Sequence, residues 1–522
     1  MNRHLFKIAG FVGIITVISK LFGLGRDLVI AQYFGTSMVS DAYNFAYLLT
    51  GNALILLGGL GGPFHSATIA TLTKIKDNSK EAGSFLIKIF SSTFFFLSLI
   101  TLVIYFFRDP IIHLIAPAHG LNSNYQEKLW HFTSLQLQIM LPLVIISGLL
   151  GILCGVSNVY KNFFWPSFSP VLPSIAIIFF ILVYPDKEMG LVLGIGTLIG
   201  AFLQLAVQVP DLLKAGLYEN LKIALLGKQK VVSDFYYFLG PALLSTTIGQ
   251  LTVYIDSFFC SGLEEGSWTA TVFANRLIQL PLGVLLTSFL VPFFPRFSEL
   301  AHEKNLEGLK STSVTVIRSL WFLTLPVAVY LFLFAKPLVE LIFQRGAFNE
   351  RSTMLTSSIL IALLLSMIFY VARDTLTRVF YSLGDSRTPL LIAIFSILMK
   401  IILNSWLVRY NAPGIAFATS LVTVFNFLLL AFLLRKKIGL MHWSTSLITF
   451  LKLILASIIM FFAGYTFIHF YPQALYNGSL LLKALSILSS FVLCFLIYFG
   501  LSLLLKVEEA GKIIKEIKSK IL

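Results

Sequence analysis

Apolar residues along this chain fall in long blocks rather than in alternation, and a run of eighteen or more with few charges is the length that crosses hydrocarbon as a helix. Such blocks recur at 6–34 (interrupted by charges), 42–63, 85–107, 131–157, 163–184, 190–210, 235–260, 268–294, 319–335, 354–381, 388–408, 412–434, 446–470 and 480–505. The connectors are short and polar, such as Asp77-Asn78-Ser79-Lys80 and Pro185-Asp186-Lys187-Glu188, and none could hold a separate domain. The pattern predicts an all-α polytopic membrane protein of roughly 14 transmembrane helices. Any chemistry then lies inside the bundle or at its mouths.

Composition agrees. Of 522 residues, 57% are hydrophobic and 12% charged, against about 25% charged in a soluble protein, which excludes a soluble enzyme, a disordered chain and a fibrous repeat. The net charge of +15 reads as cationic loops facing the cytoplasm, not as a nucleic-acid surface. With both termini inside, about 22 Lys and Arg fall on the cytoplasmic side and about 8 outside, the bias expected of that orientation. The Glu264-Glu265 hairpin falls outside. Cys154, Cys260 and Cys494 sit in apolar runs and read as small core residues. No small-residue cleavage site follows the first apolar stretch, so no cleavable signal peptide is expected. The Lys506–Lys520 segment reads as a basic interfacial helix or a solvated tail.

The chain carries an internal repeat. Gly155 to Pro166, with Tyr160 between them, precedes an apolar run, and Gly190 opens the next span, which ends near Lys214-Ala215-Gly216. About 223 residues on, Arg378 to Pro389, with Tyr381, precedes an apolar run, and Gly414 opens a span ending at Lys437-Ile438-Gly439. Repeats of equal orientation need an even number of spans, and six fits. The expected division is an N-terminal lobe over 1–214, a cytoplasmic linker over 215–234, a C-terminal lobe over 235–438, two further helices over 439–506 and a basic tail over 507–522. Two pseudo-symmetric lobes with a site between them is transporter architecture.

Charges inside the spans are the informative residues, since each costs about 2.5–3.5 kcal/mol at the bilayer centre unless it meets water or a partner. Lys20, Arg26 and Asp27 lie within the first span, where Gly23 and Gly25 would let the helix bend toward a cavity; the alternative is an Arg–Asp pair snorkelling at the outer end. Arg276 is embedded in the eighth span with Asn275 and Gln279 within one turn, and its planar fork suits a diphosphate; the alternative is a structural anchor. Asp256 ends an otherwise uncharged seventh span. Lys400 sits mid-way along the eleventh, with Asn404 one turn on, and calls for an acidic partner, with Asp256 the nearest candidate, unless it is neutral or snorkels. Arg373, Asp374 and Arg378 are expected to form an ion-pair network with Asp385 and Arg387.

No Walker A, HExxH, GxSxG or CxxC pattern is present, and no cofactor, metal set or enzymatic activity is expected. Asn477-Gly478-Ser479 is a glycosylation sequon by pattern only. His65 reads as a hydrogen-bonded helix-end residue, with a cavity-facing role as the alternative.

Four motifs in register resemble the lipid II flippases of bacterial cell-wall synthesis (the MurJ/MviN family of the multidrug/oligosaccharidyl-lipid/polysaccharide exporter superfamily). They are Ser19 to Asp27 with Phe34-Gly35 and Asp41-Ala42; Ala274 to Gly283; Phe343 to Phe348; and Phe380 to Pro389. The Gly58–Ser66 stretch resembles the cyanobacterial or plastid branch. The resemblance implies two six-helix lobes around a cationic cavity, as in MATE-type transporters, with the last two helices forming a lipid-facing groove. It implies transfer of undecaprenyl-diphosphate-linked disaccharide-pentapeptide (lipid II) from inner to outer leaflet of the bacterial cytoplasmic membrane by alternating access, coupled to membrane potential or an ion gradient. By position, Arg26 and Arg276 would bind the diphosphate, Asp27 and Asp41 would stabilise or gate the cavity, and Lys20 would add charge to its wall. Membrane lipids and cell-wall synthesis proteins are the other implied partners.

Two departures stand out. The family often has an arginine and a glutamate in the second span, where this chain has Leu54 and glycines. Where some relatives hold sodium, this chain has Lys400, whose ammonium would replace the ion beside Asp256 and make coupling independent of sodium. The competing functions are export of another lipid-linked oligosaccharide, MATE-type drug antiport, which a net-positive cavity disfavours, and a non-transporting scaffold for cell-wall enzymes.

Overall fold

The computed structural model of the chain describes residues 3–58, 62–184, 188–210, 230–440 and 443–521. Gly59-Leu60-Gly61, the connector residues 185–187, and 211–229, which hold most of the expected linker, lie outside the described residues; Lys230–Asp234 begin the Lys230–Ser261 helix. Every regular element among the described residues is a helix. Eight helical stretches are long and apolar enough to cross a bilayer, among them Ser79–Phe106, Leu306–Leu333, Glu350–Ser382 and Leu480–Leu504, and Val171–Val183 and Leu191–Ala206 are shorter apolar helices. Met38–Leu56 and Ser267–Leu285 are not among the eight, because Asp41, Asn44 and Asn52 in one and Asn275, Arg276 and Gln279 in the other lower their hydropathy. Those two helices carry Asp41 and Arg276, whereas Asp256, Lys400 and Asn404 lie on helices that are among the eight.

Proline sets where the helices break. The fourth apolar block is two helices, Ser123–Met140 and Pro142–Val159, joined at Leu141. Pro142 lacks the N–H that would continue the ladder but is tolerated in a first turn. The eighth block runs as Ser267–Leu285, a π-helical stretch Leu286–Leu290, and Val291–His302, with Pro281, Pro292 and Pro295 nearby.

The duplication is visible in matching caps. Asn78 accepts from the Glu81 amide to start the Ser79–Phe106 helix, and Asn305 accepts from the Gly308 amide to start Leu306–Leu333. Each helix has 28 residues and stops at a phenylalanine of nearly equal backbone geometry, Phe107 (φ −101°, ψ 19°) and Phe334 (φ −103°, ψ 19°). A short helix follows in each case, Arg108–Ile115 and Ala335–Phe343. Asn122 and Asn349 then cap the next helices. The offset is constant at 227 residues (305 − 78, 334 − 107, 349 − 122). Beyond the next helix it becomes 223 (389 − 166). Four residues are close to one helical turn, so the second copy is about one turn of helix shorter than the first.

The chain packs as two compact units, Met1–Thr269 with Arg345–Phe348, and Ala270–Gln344 with Asn349–Leu522. In the first unit, Phe64, Phe85, Ile89, Ile152 and Phe235 build a buried core across four helices. Phe235 meets Phe85 edge-on at 6.0 Å, a favoured aromatic geometry. His65 is hydrogen-bonded, its Nε2 2.7 Å from the Asn158 amide nitrogen.

In the second unit, Glu350–Ser382 and Asn411–Ile438 pack along their lengths, stitched by Ser420 Oγ donating to the Ala362 carbonyl at 2.7 Å. The last two long helices dock on Leu306–Leu333. Tyr330 donates to the Ile487 carbonyl at 2.7 Å and Tyr498 to the Phe322 carbonyl at 2.9 Å, while the Trp321 ring lies 4.6 Å from that of Phe450. The C-terminal segment is a helix, Glu508–Ile521. Its first turn is held by Arg318, which bonds Glu508 at 3.1 Å and the buried Glu509 at 3.0 Å. The expected network around Arg378 divides in two: Arg378 pairs with Asp374 at 3.1 Å, one turn away, while Asp385 is taken by Lys437 at 2.5 Å. A lysine from the following helix reaches the loop carboxylate that the arginines of the preceding helix were expected to hold.

Candidate functional site

The Arg3–Phe34 helix runs without interruption through Gly23 and Gly25, and a β-carbon at either glycine would meet nothing within 4 Å. One turn on, Arg26 binds Asp27 side-on, Nη2 to Oδ1 at 2.7 Å and Nε to the same oxygen at 3.0 Å. Both side chains are largely buried, 12% and 7% exposed. Nη1 takes no part in the pair. Sequence neighbours on a helix do not face each other, so both side chains must bend to meet, and the pair offsets the desolvation each would bear alone. Lys20 is partly exposed on the same helix and makes no ion pair among the described residues.

Tyr43 and Tyr47, on Met38–Leu56, lie within electrostatic reach of Arg26. Their rings are 5.7 Å apart, and the Tyr43 hydroxyl is fixed 2.9 Å from Thr197 Oγ1. Sequence reading passed over these two tyrosines. The signal for them was their i, i+4 spacing in a helix too polar for lipid.

Asp41 is buried and accepts three hydrogen bonds. Its Oδ2 accepts from the Gly266 amide at 2.8 Å, and Oδ1 accepts from the Thr269 amide at 2.8 Å and the Thr269 hydroxyl at 2.7 Å. These donors belong to the first turn of Ser267–Leu285 and the residue before it, so the carboxylate satisfies orphan helix amides and meets the positive end of the helix dipole. The same strap is tied twice more, by Met38 N donating to Glu265 Oε1 at 2.7 Å and Asn44 Nδ2 donating to Thr269 Oγ1 at 3.0 Å. Trp268 stacks on Phe45 at 5.8 Å. Gly266 permits this approach: its φ is +86°, and a β-carbon there would stand 2.2 Å from the Thr36 carbonyl oxygen.

A second strap closes beside it. Ala347 N donates to the Gln32 carbonyl at 2.8 Å, and Gly346 (φ +56°) has no room for a β-carbon, which would lie 2.2 Å from that oxygen. Two motifs more than 300 residues apart, around Phe34-Gly35 and around Gly346, are thereby brought into backbone contact within the first unit.

Arg276 lies in the second unit, half-buried on Ser267–Leu285; Asn275 donates to the Thr271 carbonyl one turn back at 3.0 Å, and Gln279 is exposed. Lys400 is 1% exposed, and its ammonium donates to Thr419 Oγ1. It sits in a buried polar row, Ser396, Lys400 and Asn404 at successive turns of Arg387–Leu407, facing Thr419, Thr423 and Asn426 of Asn411–Ile438, with Ser396 bonded to Asn426. Asp256 is half-buried in the first unit. Among the described residues no cluster of three His, Cys, Asp or Glu side chains could hold a metal.

Comparison with known proteins matches the family model "Lipid II flippase MurJ" over residues 30–486. The chain is 33% identical over 454 residues to the "Probable lipid II flippase MurJ" of Synechocystis sp., covering 84% of this chain and 83% of that protein. A protein of the same name from Rickettsia prowazekii is 27% identical over 96% of this chain and 98% of its own length. Among solved structures, a lipid II flippase MurJ in an inward closed conformation superposes with a TM-score of 0.73 at 24% identity, over 94% of this chain and 99% of that one. An inward-facing MATE family multidrug transporter of the MOP superfamily superposes at 0.67 and 15% identity, over 82% and 98%.

Proposed function

The chain belongs to the family of lipid II flippases (MurJ), multi-pass transporters of the bacterial inner membrane and not enzymes, and from that premise we propose that it carries lipid II to the outer leaflet by alternating access with Arg26 and Arg276 as the diphosphate ligands. The observation that supports this reading is the Arg26–Asp27 pair: a largely buried guanidinium on the long Arg3–Phe34 helix, held by a neighbouring carboxylate through two of its nitrogens. A diphosphate cannot enter hydrocarbon bare. A guanidinium offers it two parallel charge-assisted hydrogen bonds, while Asp27 balances the charge when the site is empty. Lys20, Asn275 and Gln279 supply further polar contacts, and the prenyl tail stays in lipid throughout.

Asp41 acts as the latch of the outward end. Its three hydrogen bonds hold the 266–269 strap while the site is open to the cytoplasm, and their release opens the outer mouth. N-in and C-in orientation rests on the Lys and Arg count. An inside-negative potential favours outward passage of the anionic headgroup by about 2.3 kcal/mol per charge per 100 mV. Lys400, whose ammonium donates to Thr419 Oγ1 in a buried polar row, stands in for a coupling cation, so transport does not need sodium. Cell-wall synthesis proteins are the partners that would supply and consume the substrate.

Complementation of a flippase-depleted bacterium tests the site. The wild-type chain restores growth, and Arg26→Ala and Arg276→Ala fail at equal membrane abundance. Full growth with both arginines neutralised would favour a scaffold over a transporter.

A further inference from the structure

Where the first turns of Arg387–Leu407 lie against the last turns of Asn411–Ile438, a groove of about 560 Å³ opens at the surface of the second unit. That size falls within the range of small-molecule sites, about 300–1,000 Å³. Leu391 and Phe395 form one wall and Leu433 the other, and Thr388, Lys436 and Lys437 stand at the mouth. Leu391 is 65% exposed, so this apolar wall is open to whatever surrounds the protein. The two lysines differ. Lys437 is neutralised by Asp385, which also accepts from the Thr388 hydroxyl at 2.8 Å. Lys436 has no carboxylate partner among the described residues, and its Nζ stands 4.6 Å from the centre of the Phe432 ring. Arg387 and Arg435 are exposed beside it and add to the positive field.

We infer that this groove binds an anionic glycerophospholipid, its phosphate on Lys436 at the mouth and an acyl chain along Leu391, Phe395 and Leu433. The order of parts is that of a lipid at the membrane boundary: a cation and a hydroxyl at headgroup level, and aliphatic and aromatic side chains below. Basic pockets between transmembrane helices select anionic headgroups in this way, and a zwitterionic lipid would offer the same chain but no net charge to Lys436. The site concerns a bound membrane lipid and stands or falls apart from the assignment of the diphosphate ligands.

Native mass spectrometry of the purified full-length chain, with phosphatidylglycerol and phosphatidylcholine of identical chains at equal concentration, tests it. The wild type is expected to retain phosphatidylglycerol in preference. Lys436→Gln is expected to cut that preference about fivefold, from the roughly 1 kcal/mol that one lysine contributes near anionic lipid. Leu391→Trp, at an exposed position that tolerates the change, is expected to lower retention of both lipids by filling the groove. Arg435→Gln, off the groove wall, is expected to change the preference less than about twofold. Equal retention of the two lipids by the wild type, equal effects of K436Q and R435Q, or unchanged retention in L391W would each overturn the inference. Displacement of phosphatidylglycerol by equimolar undecaprenyl phosphate would assign the groove to a prenyl lipid instead, and would also overturn it.

Discussion

Replacing Asp41 with alanine removes the acceptor for the Gly266 amide, the Thr269 amide and the Thr269 hydroxyl at once. Hydrogen bonds to an ionised acceptor contribute about 1.5–3 kcal/mol each, and a buried donor left unpaired costs about 1–3 kcal/mol. Water entering the vacated space recovers part of this, so about 3 kcal/mol is the expected net loss, equivalent to roughly a hundredfold increase in the opening of the strap. Thr269→Val is the graded control. It removes the hydroxyl bond to Asp41 and the one from Asn44 but leaves both backbone amides bound, and is expected to raise opening about fivefold to tenfold. Hydrogen exchange of the segment spanning 263–272, read by mass spectrometry in lipid nanodiscs, reports that opening directly. Because Cys154, Cys260 and Cys494 are buried, labelling of an engineered cysteine by a membrane-impermeant thiol reagent gives a second readout with low background. Wild-type exchange in D41A, or equal exchange in D41A and T269V, would refute the latch.

Three further outcomes follow from the same reasoning. Arg318→Met leaves the buried Glu509 carboxylate without its partner, a loss of about 3–5 kcal/mol, and should release the Glu508–Ile521 helix to trypsin while Arg318→Lys releases it less. Lys437 and the Thr388 amide hold the Asp385 carboxyl down at about 2. A depressed acid contributes stability that is complete above its unfolded pKa and is lost as pH falls through the folded value, so this contact should be indifferent to pH between 5 and 8 and weaken only below about 4; a melting temperature that drops from pH 8 to 6 in wild type but not in Asp385→Asn would contradict that. Lys400→Asn should convert a sodium-independent transporter into a sodium-dependent or inactive one, and sodium-dependent transport by the wild type with no change in K400N would contradict it.

The fold was legible because its signal is local. Apolar blocks announced the helices, and the repeat could be read from Tyr160 and Tyr381, Pro166 and Pro389, Gly190 and Gly414. What the sequence concealed was the exact register: Asn78 and Asn305 stand 227 residues apart while Pro166 and Pro389 stand 223 apart, and only the helix boundaries reveal that the copies differ by about one turn of helix. Charged residues inside spans could be singled out as costly from sequence, yet their partners were not readable. Asp385 next to Arg387 looked like part of an arginine network, but Lys437 lies 52 positions away and takes it. Glu509 reaches Arg318 over 191 positions. Such pairings are set by which helices pack together, and local sequence carries no trace of that. Asp41 was flagged by resemblance alone; its chemistry became evident only when Gly266, by admitting a close backbone approach, brought a helix N-terminus onto the carboxylate.

We propose that the guanidinium groups of Arg26 and Arg276 carry the diphosphate across. The appearance of lipid II in the outer leaflet of reconstituted vesicles, timed for wild type, Arg26→Gln and Arg276→Gln, tests it most directly. Loss of one charge-assisted contact of about 1.5–3 kcal/mol predicts a rate lower by roughly tenfold to a hundredfold in each variant. Wild-type rates in both variants, with the proteins folded and inserted, would contradict the account.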